Sequence, residues 1–233
     1  YTHVDRCEED PMNCCRVNVE GPREIARHVA RKGGEVVYYS TDHVFSGGET
    51  PFSESDRVNP LNVYSKTKVE GEEAVREAAP DRHLIIRTSW VYGPDLEERN
   101  FPLRLVKRLV REEQIPVPDD QWGSPTFTSD LAFVTRFLTE RGECGTFHVR
   151  GPDLVNRYAY ACRIAFHFGL REDRLLPSPS AALGQAAKRA LKVQLNCQKF
   201  DALHGPPLRG IEEGLVALKK WYQEKVLSGA GRR

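Results

Sequence analysis

Two short apolar runs, Glu35–Ser40 and His83–Thr88, flank a longer segment with helical periodicity from about Asn62 to Ala79. This order constrains the chain more than any other feature. Two parallel strands cannot be joined by a tight turn, so a strand, a helix and a second strand read as a crossover unit in a parallel sheet. Both runs are continuous rather than alternating, which predicts strands buried on both faces. Ahead of them, a helical period runs from about Met12 to Arg31. Gly21 and Pro22 are expected to kink or split it, and Gly33-Gly34 to end it. Between the first strand and the helix lies a polar loop, about Asp42 to Leu61, carrying Gly47, Gly48, Pro51 and Pro60. A connection of that length is more often functional than not.

Further helices are predicted near Phe101–Glu112, Thr128–Leu138, Arg157–Phe168, Gln198–Leu203 and Arg209–Lys225, with extended pieces at Ile115–Val117 and Thr146–Val149. The regular alternation thins after about Asn100. The expected fold is therefore α/β: a partial Rossmann-like parallel sheet followed by a smaller, irregular α/β lobe. The expected division is 1–99 and 100–233, with about 128–150 returning to the sheet core. The last residues, 228–233, read as a frayed tail.

Composition removes several classes of function. The 233 residues include 34 Lys and Arg against 33 Asp and Glu, a net charge of +1. That balance argues against a nucleic-acid partner, which requires a cationic excess. No run approaches the roughly 20 apolar residues of a membrane span, and the polar opening Tyr1–Asp10 does not read as a secretory leader. The expected location is the cytoplasm. Cys7, Cys14, Cys15, Cys144, Cys162 and Cys197 form no C-x-x-C pair, so buried or incidental thiols are expected rather than disulfides or a metal site.

The chemistry is carried by Tyr64 and Lys68, four residues apart on the predicted helix, where both side chains project from one face. A phenol titrates near pH ~10, and a neighbouring cation favours its ionised form. Such a pair suits proton exchange in a carbonyl–alcohol interconversion. Ser40, Thr41 and Asp42 end the first strand about two dozen residues earlier, and open α/β sheets bind ligands outside the C-terminal ends of their strands. A hydroxyl at a strand end, a long loop, then Tyr and Lys on the next helix is the order of a short-chain dehydrogenase/reductase site.

Longer stretches make the resemblance specific. Val37–Gly47, Pro60–Glu72, Arg87–Gly93, Asp120–Thr126, Gly145–His148 and Asn196–Phe200 resemble, in order, segments of the dTDP-4-dehydrorhamnose reductase family of extended short-chain dehydrogenases. The opening Tyr1–Glu9 is similar to the segment after the fourth strand of that family. The resemblance implies NADPH-dependent reduction of the C4 ketone of a nucleotide-linked 4-keto-6-deoxy sugar, with NAD(H) not excluded as cofactor. It implies Tyr64 as proton donor, Lys68 on the nicotinamide ribose and Thr41 as hydrogen-bond donor to the carbonyl oxygen. Ser40, Tyr64, Lys68, Arg87 and Thr88 would lie by the cofactor. Thr41, Asp42, His43, Trp90, Asn100, Gln121 and Thr126 would lie by the nucleotide sugar. A homodimer is compatible with it.

The chain departs from the family in three places. No G-x-x-G-x-x-G turn follows a strand, which by comparison leaves out roughly the first quarter of the family pattern. Weak NADPH binding and no measurable reduction by this polypeptide alone are therefore expected, with an open apolar sheet edge. His43 stands where these reductases usually carry tyrosine. Arg189–Asn196 lacks an expected proline and aspartate in a segment that shapes the substrate lobe. Two other readings share the motifs: a non-catalytic regulatory subunit like the beta subunit of methionine adenosyltransferase, and a nucleotide-sugar epimerase or dehydratase.

Overall fold

The computed structural model describes residues 1–227 and Gly229; the expected tail, Gly229 apart, lies outside the described residues. In chain order the elements begin with helices α1 (Val4–Glu9) and α2 (Pro11–Cys15), a π-helical turn (Arg16–Glu20) and α3 (Gly21–Arg31). Strand β1 (Val36–Thr41), a 3-10 turn (Asp42–Val44), α4 (Val63–Ala78), β2 (His83–Thr88) and β3 (Val91–Tyr92) follow. Then come α5 (Phe101–Val110), β4 (Ile115–Pro118), β5 (Trp122–Gly123), β6 (Thr126–Phe127), α6 (Thr128–Glu140) and β7 (Gly145–His148). The remainder is β8 (Val155–Asn156), α7 (Arg157–Phe168), β9 (Leu175–Ser178), α8 (Gln198–Asp201) and α9 (Ile211–Leu227), with 3-10 turns on either side of β9.

These elements form two compact units. The first comprises Tyr1–Ser89, Phe133–Val149 and Gln185–Pro206; the second comprises Trp90–Ala132, Arg150–Gly184 and Pro207–Arg233. The first unit holds a three-stranded parallel sheet in the order β1-β2-β7. Val36 pairs with His83 through to Thr41 with Thr88, and Leu84 pairs with Gly145 through to Arg87 with His148. All six residues of the central strand β2 are buried.

β1 departs from the expectation of burial on both faces. Val36, Tyr38 and Ser40 are buried, whereas Val37 is half-buried and Tyr39 is 45% exposed. Val36 and Tyr38 pack with Ile85 against Ala26 of α3 and Val75 of α4, so helices cover that face while the other stays open until Thr41. Among the described residues β1 pairs with β2 alone.

The predicted break at Gly21-Pro22 takes the form of a change of helix type. Backbone angles stay helical through Gly21. Pro22 has no N–H, so the Asn18 carbonyl loses its partner four residues on; the turn widens to π form and the Tyr38 hydroxyl donates to that carbonyl at 3.1 Å. α4 passes close by at Gly71, where a Cβ would stand 2.3 Å from both the Asn18 carbonyl oxygen and the Tyr38 hydroxyl. Only glycine fits there.

Asn62 caps α4 by accepting from Ser65 N at 2.8 Å, and its amide donates to the Lys188 carbonyl at 2.8 Å. Residues 185–206 belong to this unit: Val193 and Leu195 pack with Val44 and Phe45 under the long loop, and Arg189 pairs with Asp5 at 2.7 Å. The segment that the resemblance assigns to the substrate lobe thus builds on the sheet-bearing unit.

The second unit is irregular. Its strands pair only in twos, β3 with β6 and β4 with β9 in parallel, β5 with β8 antiparallel. Its core gathers Leu103, Val106 and Leu109 of α5, Tyr160 and Ile164 of α7, and Leu215 and Leu218 of α9. Among the described residues no helix is long and apolar enough to cross a membrane.

Candidate active site

Eight of the twelve sequence-selected residues stand in the first unit, at the C-terminal ends of β1 and β2 and on α4. Strand pairing sets Thr41 opposite Thr88 and Ser40 opposite Arg87. Helical spacing aims Tyr64 and Lys68 back at the same strand ends.

The Tyr64 phenol is buried. Burial pushes its pKa up, the Thr41 hydroxyl opposes this, and Asp42 and the thiols of Cys7 and Cys14 add to the rise. The direction is opposite to the lowering expected from Lys68: burial is the largest influence on the phenol, and Tyr64 keeps its proton at neutral pH. Cys7 and Cys14 pack beside it with their sulfurs 3.0 Å apart, and burial lifts Cys7 to about 12. Both cysteines are free, and Cys14 Sγ also stands 3.2 Å from Thr67 Oγ1.

Thr41 is held on several sides. Its hydroxyl donates to Asp42 Oδ1 at 3.0 Å and its oxygen accepts from His43 N at 3.2 Å. Ser89 donates to the other carboxylate oxygen, Oδ2, at 2.6 Å. A hydroxyl carries one proton, so in this arrangement Thr41 gives it to Asp42 and can accept from Tyr64. Donation to a bound carbonyl would require the hydroxyl to rotate. The His43 ring stands edge-on to that of Tyr64, 6.0 Å between centroids.

Lys68 donates to the Tyr39 carbonyl at 2.6 Å and lies over the Tyr38 ring, 3.9 Å from its centroid. Burial lowers its pKa to about 8, against the opposing pull of Glu72 and Cys14. It is still protonated at pH 7.

The side chains of Ser40 and Arg87 point into the unit. Ser40 donates to Glu72 Oε1 at 2.5 Å, and Arg87 forks onto the same carboxylate at 3.0 and 2.7 Å. Arg87 also stands 3.4 Å from His148 Nε2. The His148 Nδ1 faces the Phe52 carbonyl at 3.1 Å, and its backbone N–H donates to Glu54 at 2.8 Å. Burial and the adjacent guanidinium push His148 down to about 4, so it is neutral. Thr88 Oγ1 is buried without a hydrogen-bond partner. The sequence reading missed Glu72, Ser89 and His148. The one available signal was Glu72 at a further four residues beyond Tyr64 and Lys68.

The other four residues belong to the second unit. Asn100 caps α5, accepting from Leu103 N at 3.3 Å and donating to the Gly93 carbonyl at 2.9 Å. Thr126 is fully buried, donating to the Ser124 carbonyl at 3.2 Å and accepting from Gly151 N at 3.1 Å. Gln121 donates to Ser180 Oγ at 2.8 Å. Trp90 has a left-handed φ of 42°, and the Arg157 guanidinium lies 3.4 Å from its ring centroid. Asn100 and Trp90 are half-buried, and Gln121 and Thr126 are buried.

Comparison with known proteins places the chain among relatives. A dTDP-4-dehydrorhamnose reductase of Escherichia coli is 34% identical over 212 residues, 86% of this chain and 70% of that protein. A dTDP-4-keto-6-deoxy-D-glucose reductase of Streptomyces niveus is 36% identical over 95% of this chain and 73% of its own. The crystal structure of dTDP-4-dehydrorhamnose reductase from Bacillus anthracis in complex with NADP superposes with a TM-score of 0.88 at 29% identity. The match covers 96% of this chain and 78% of that one. Residues 1–223 match the family described as the RmlD substrate binding domain, and the chain belongs to that family.

Proposed function

We propose that this protein takes part in the NADPH-dependent reduction of the C4 ketone of a nucleotide-linked 4-keto-6-deoxy sugar, of the dTDP-4-dehydrorhamnose type. The observation that carries the reading is the burial together of a phenol, a strand-end hydroxyl and, one helical turn beyond the phenol, an ammonium held on the same strand. Reduction of a ketone calls for a proton at the oxygen that hydride addition makes anionic, and a phenol whose pKa burial has raised is a proton donor rather than a base.

The residues fit the nicotinamide-ribose end of such a cofactor. Thr88 has an orphaned buried hydroxyl at the strand end. Lys68 spends one N–H on Tyr39 and has others to offer. No glycine-rich strand-to-helix turn for the phosphates occurs in the sequence. NADPH supplies the hydride when bound. Tyr64 then gives its proton to the substrate oxygen, and Thr41, turned from Asp42, donates to that oxygen and stabilises the charge that develops there. Lys68 would hold the ribose hydroxyls, and its positive charge would ease the loss of the phenolic proton. In the second unit, Trp90 and Gln121 are the side chains assigned to the sugar nucleotide. The reading includes a cytoplasmic place of work and a homodimer to be sought by sedimentation.

The test uses a version that also carries the glycine-rich segment of the family, supplies the dTDP-4-keto-6-deoxy sugar and millimolar NADPH, follows NADPH oxidation and identifies the product by NMR. A C4 alcohol formed in step with NADPH loss supports the reading. Binding of the nucleotide sugar with no NADPH oxidation contradicts it and favours a binding subunit.

A further inference from the structure

Tyr64, Lys68 and Glu72 stand at four-residue intervals on one face of α4, and each meets a strand end. The Tyr64 phenol meets Thr41, the Lys68 ammonium meets the Tyr39 carbonyl, and the Glu72 carboxylate meets both Ser40 on β1 and Arg87 on β2. We propose that Glu72 is the positioning residue of this site: by gripping Ser40 and Arg87 it fixes α4 against both strand ends, and its negative charge keeps the neighbouring Lys68 ammonium charged. The proposal deepens the reductase reading and takes its catalytic meaning from it.

Stability alone does not account for this carboxylate. Its side chain is 2% exposed and that of Arg87 is 5% exposed. A buried ion pair of this kind is commonly no more stabilising than a well-packed apolar pair in its place. An apolar pair could hold the helix in register, but it could not offset the desolvation of an ammonium one turn away. Lys68 has one opposing charge among the groups that face it. From its own helix these are Glu72 and the neutral Tyr64 phenol; from β1, the Tyr38 ring and the Tyr39 carbonyl; from α2, the Cys14 thiol. From β2, Arg87 makes its ion pair with Glu72. Glu8 of α1 is bonded to Val63 N at the start of α4, and Asp42 of the 3-10 turn to Thr41 and Ser89. Burial acts against the charge and brings the ammonium down to about 8, while Glu72 is the largest influence in the other direction.

The experiment follows the lysine 13Cε resonances of the full chain from pH 6 to 11, with Lys68 assigned by its loss in Lys68→Met. Glu72→Gln keeps the shape and removes the charge; the Lys68 midpoint is expected to fall by about half a unit or more. Arg87→Gln leaves Glu72 with Arg76 alone, 3.9 Å away on the half-exposed side of α4, so more of its charge acts on Lys68 and the midpoint is expected to rise. Ser40→Ala removes one grip but no charge and leaves the midpoint in place. A merely structural pair would lower the melting temperature in both charge variants without moving Lys68, and that result overturns the proposal. Should Glu72→Gln not fold, the sign of the Arg87→Gln shift decides. The titration needs no cofactor. A version carrying the glycine-rich segment of the family that oxidises no NADPH fails the reductase reading and leaves the Glu72 claim to be judged on the midpoint; an unmoved midpoint beside an active version fails the Glu72 claim alone.

Discussion

The polar residues of the first unit and those of the second, though selected from the same sequence, end in different circumstances. Tyr64 and Lys68 are fixed by helical geometry to the face that meets β1, and both keep hydrogen-bonding capacity beyond their internal partners. Asn100 and Thr126 spend theirs on a helix cap and on main-chain groups. The difference teaches that residues linked by a chemical requirement at helical spacing carry their geometry with them. Residues chosen one at a time from resembling segments can as readily be the parts that hold a loop in shape.

Breaking the Glu72–Arg87 pair should have the largest effect on stability. Arg87→Ala leaves a buried carboxylate with only the more distant Arg76 at 3.9 Å and is expected to cost up to about 3–5 kcal/mol in denaturant unfolding. A cost below about 1 kcal/mol would mean that the strand ends are not held through this pair. Acid should act next, through His148. Its folded pKa, about 4, lies below the ordinary value of 6.5. Between these limits the unfolded chain binds more protons, so stability is intact above pH 6.5 and falls as pH drops towards 4. The loss attributable to this residue is up to about 3 kcal/mol, and His148→Gln should flatten that part of the curve. An unchanged acid limb in the variant would assign the loss elsewhere.

The caps sharpen the contrast between the units with a smaller effect. Asn62→Ala and Asn100→Ala should each cost about 1 kcal/mol. Asn62→Ala should also slow turnover, because it loosens the start of the helix that carries Tyr64, whereas Asn100→Ala should leave the KM for the nucleotide sugar within about threefold. A tenfold rise in that KM without loss of stability would place Asn100 on the substrate and undo the comparison.

Much of the first unit was legible because local signals agreed. His83–Thr88 carries Leu84, Ile85 and Ile86 in succession and forms the buried central strand, and Asn62 opens the helix that its side chain caps. What could not be read depends on neighbours distant in sequence. Only the packing shows that Tyr39 faces outward, or that Tyr38 supplies the donor that Pro22 denies to Asn18. The direction of the Tyr64 shift was misjudged for the same reason. Spacing reveals the cation, but burial, the largest influence on the phenol, is a property of the folded unit. Glu72 lay within a recognised segment, yet its partners Ser40 and Arg87 come from two strands whose register the sequence does not state.

The central claim is that Tyr64 donates the proton, and replacing only its hydroxyl tests this most directly. Tyr64→Phe in a version that also carries the glycine-rich segment of the family, assayed with the dTDP-4-keto-6-deoxy sugar and NADPH beside its own parent, should retain the fold by circular dichroism and lower kcat about a hundredfold or more. A folded variant whose kcat stays within about threefold of the parent would show that the proton comes from another group.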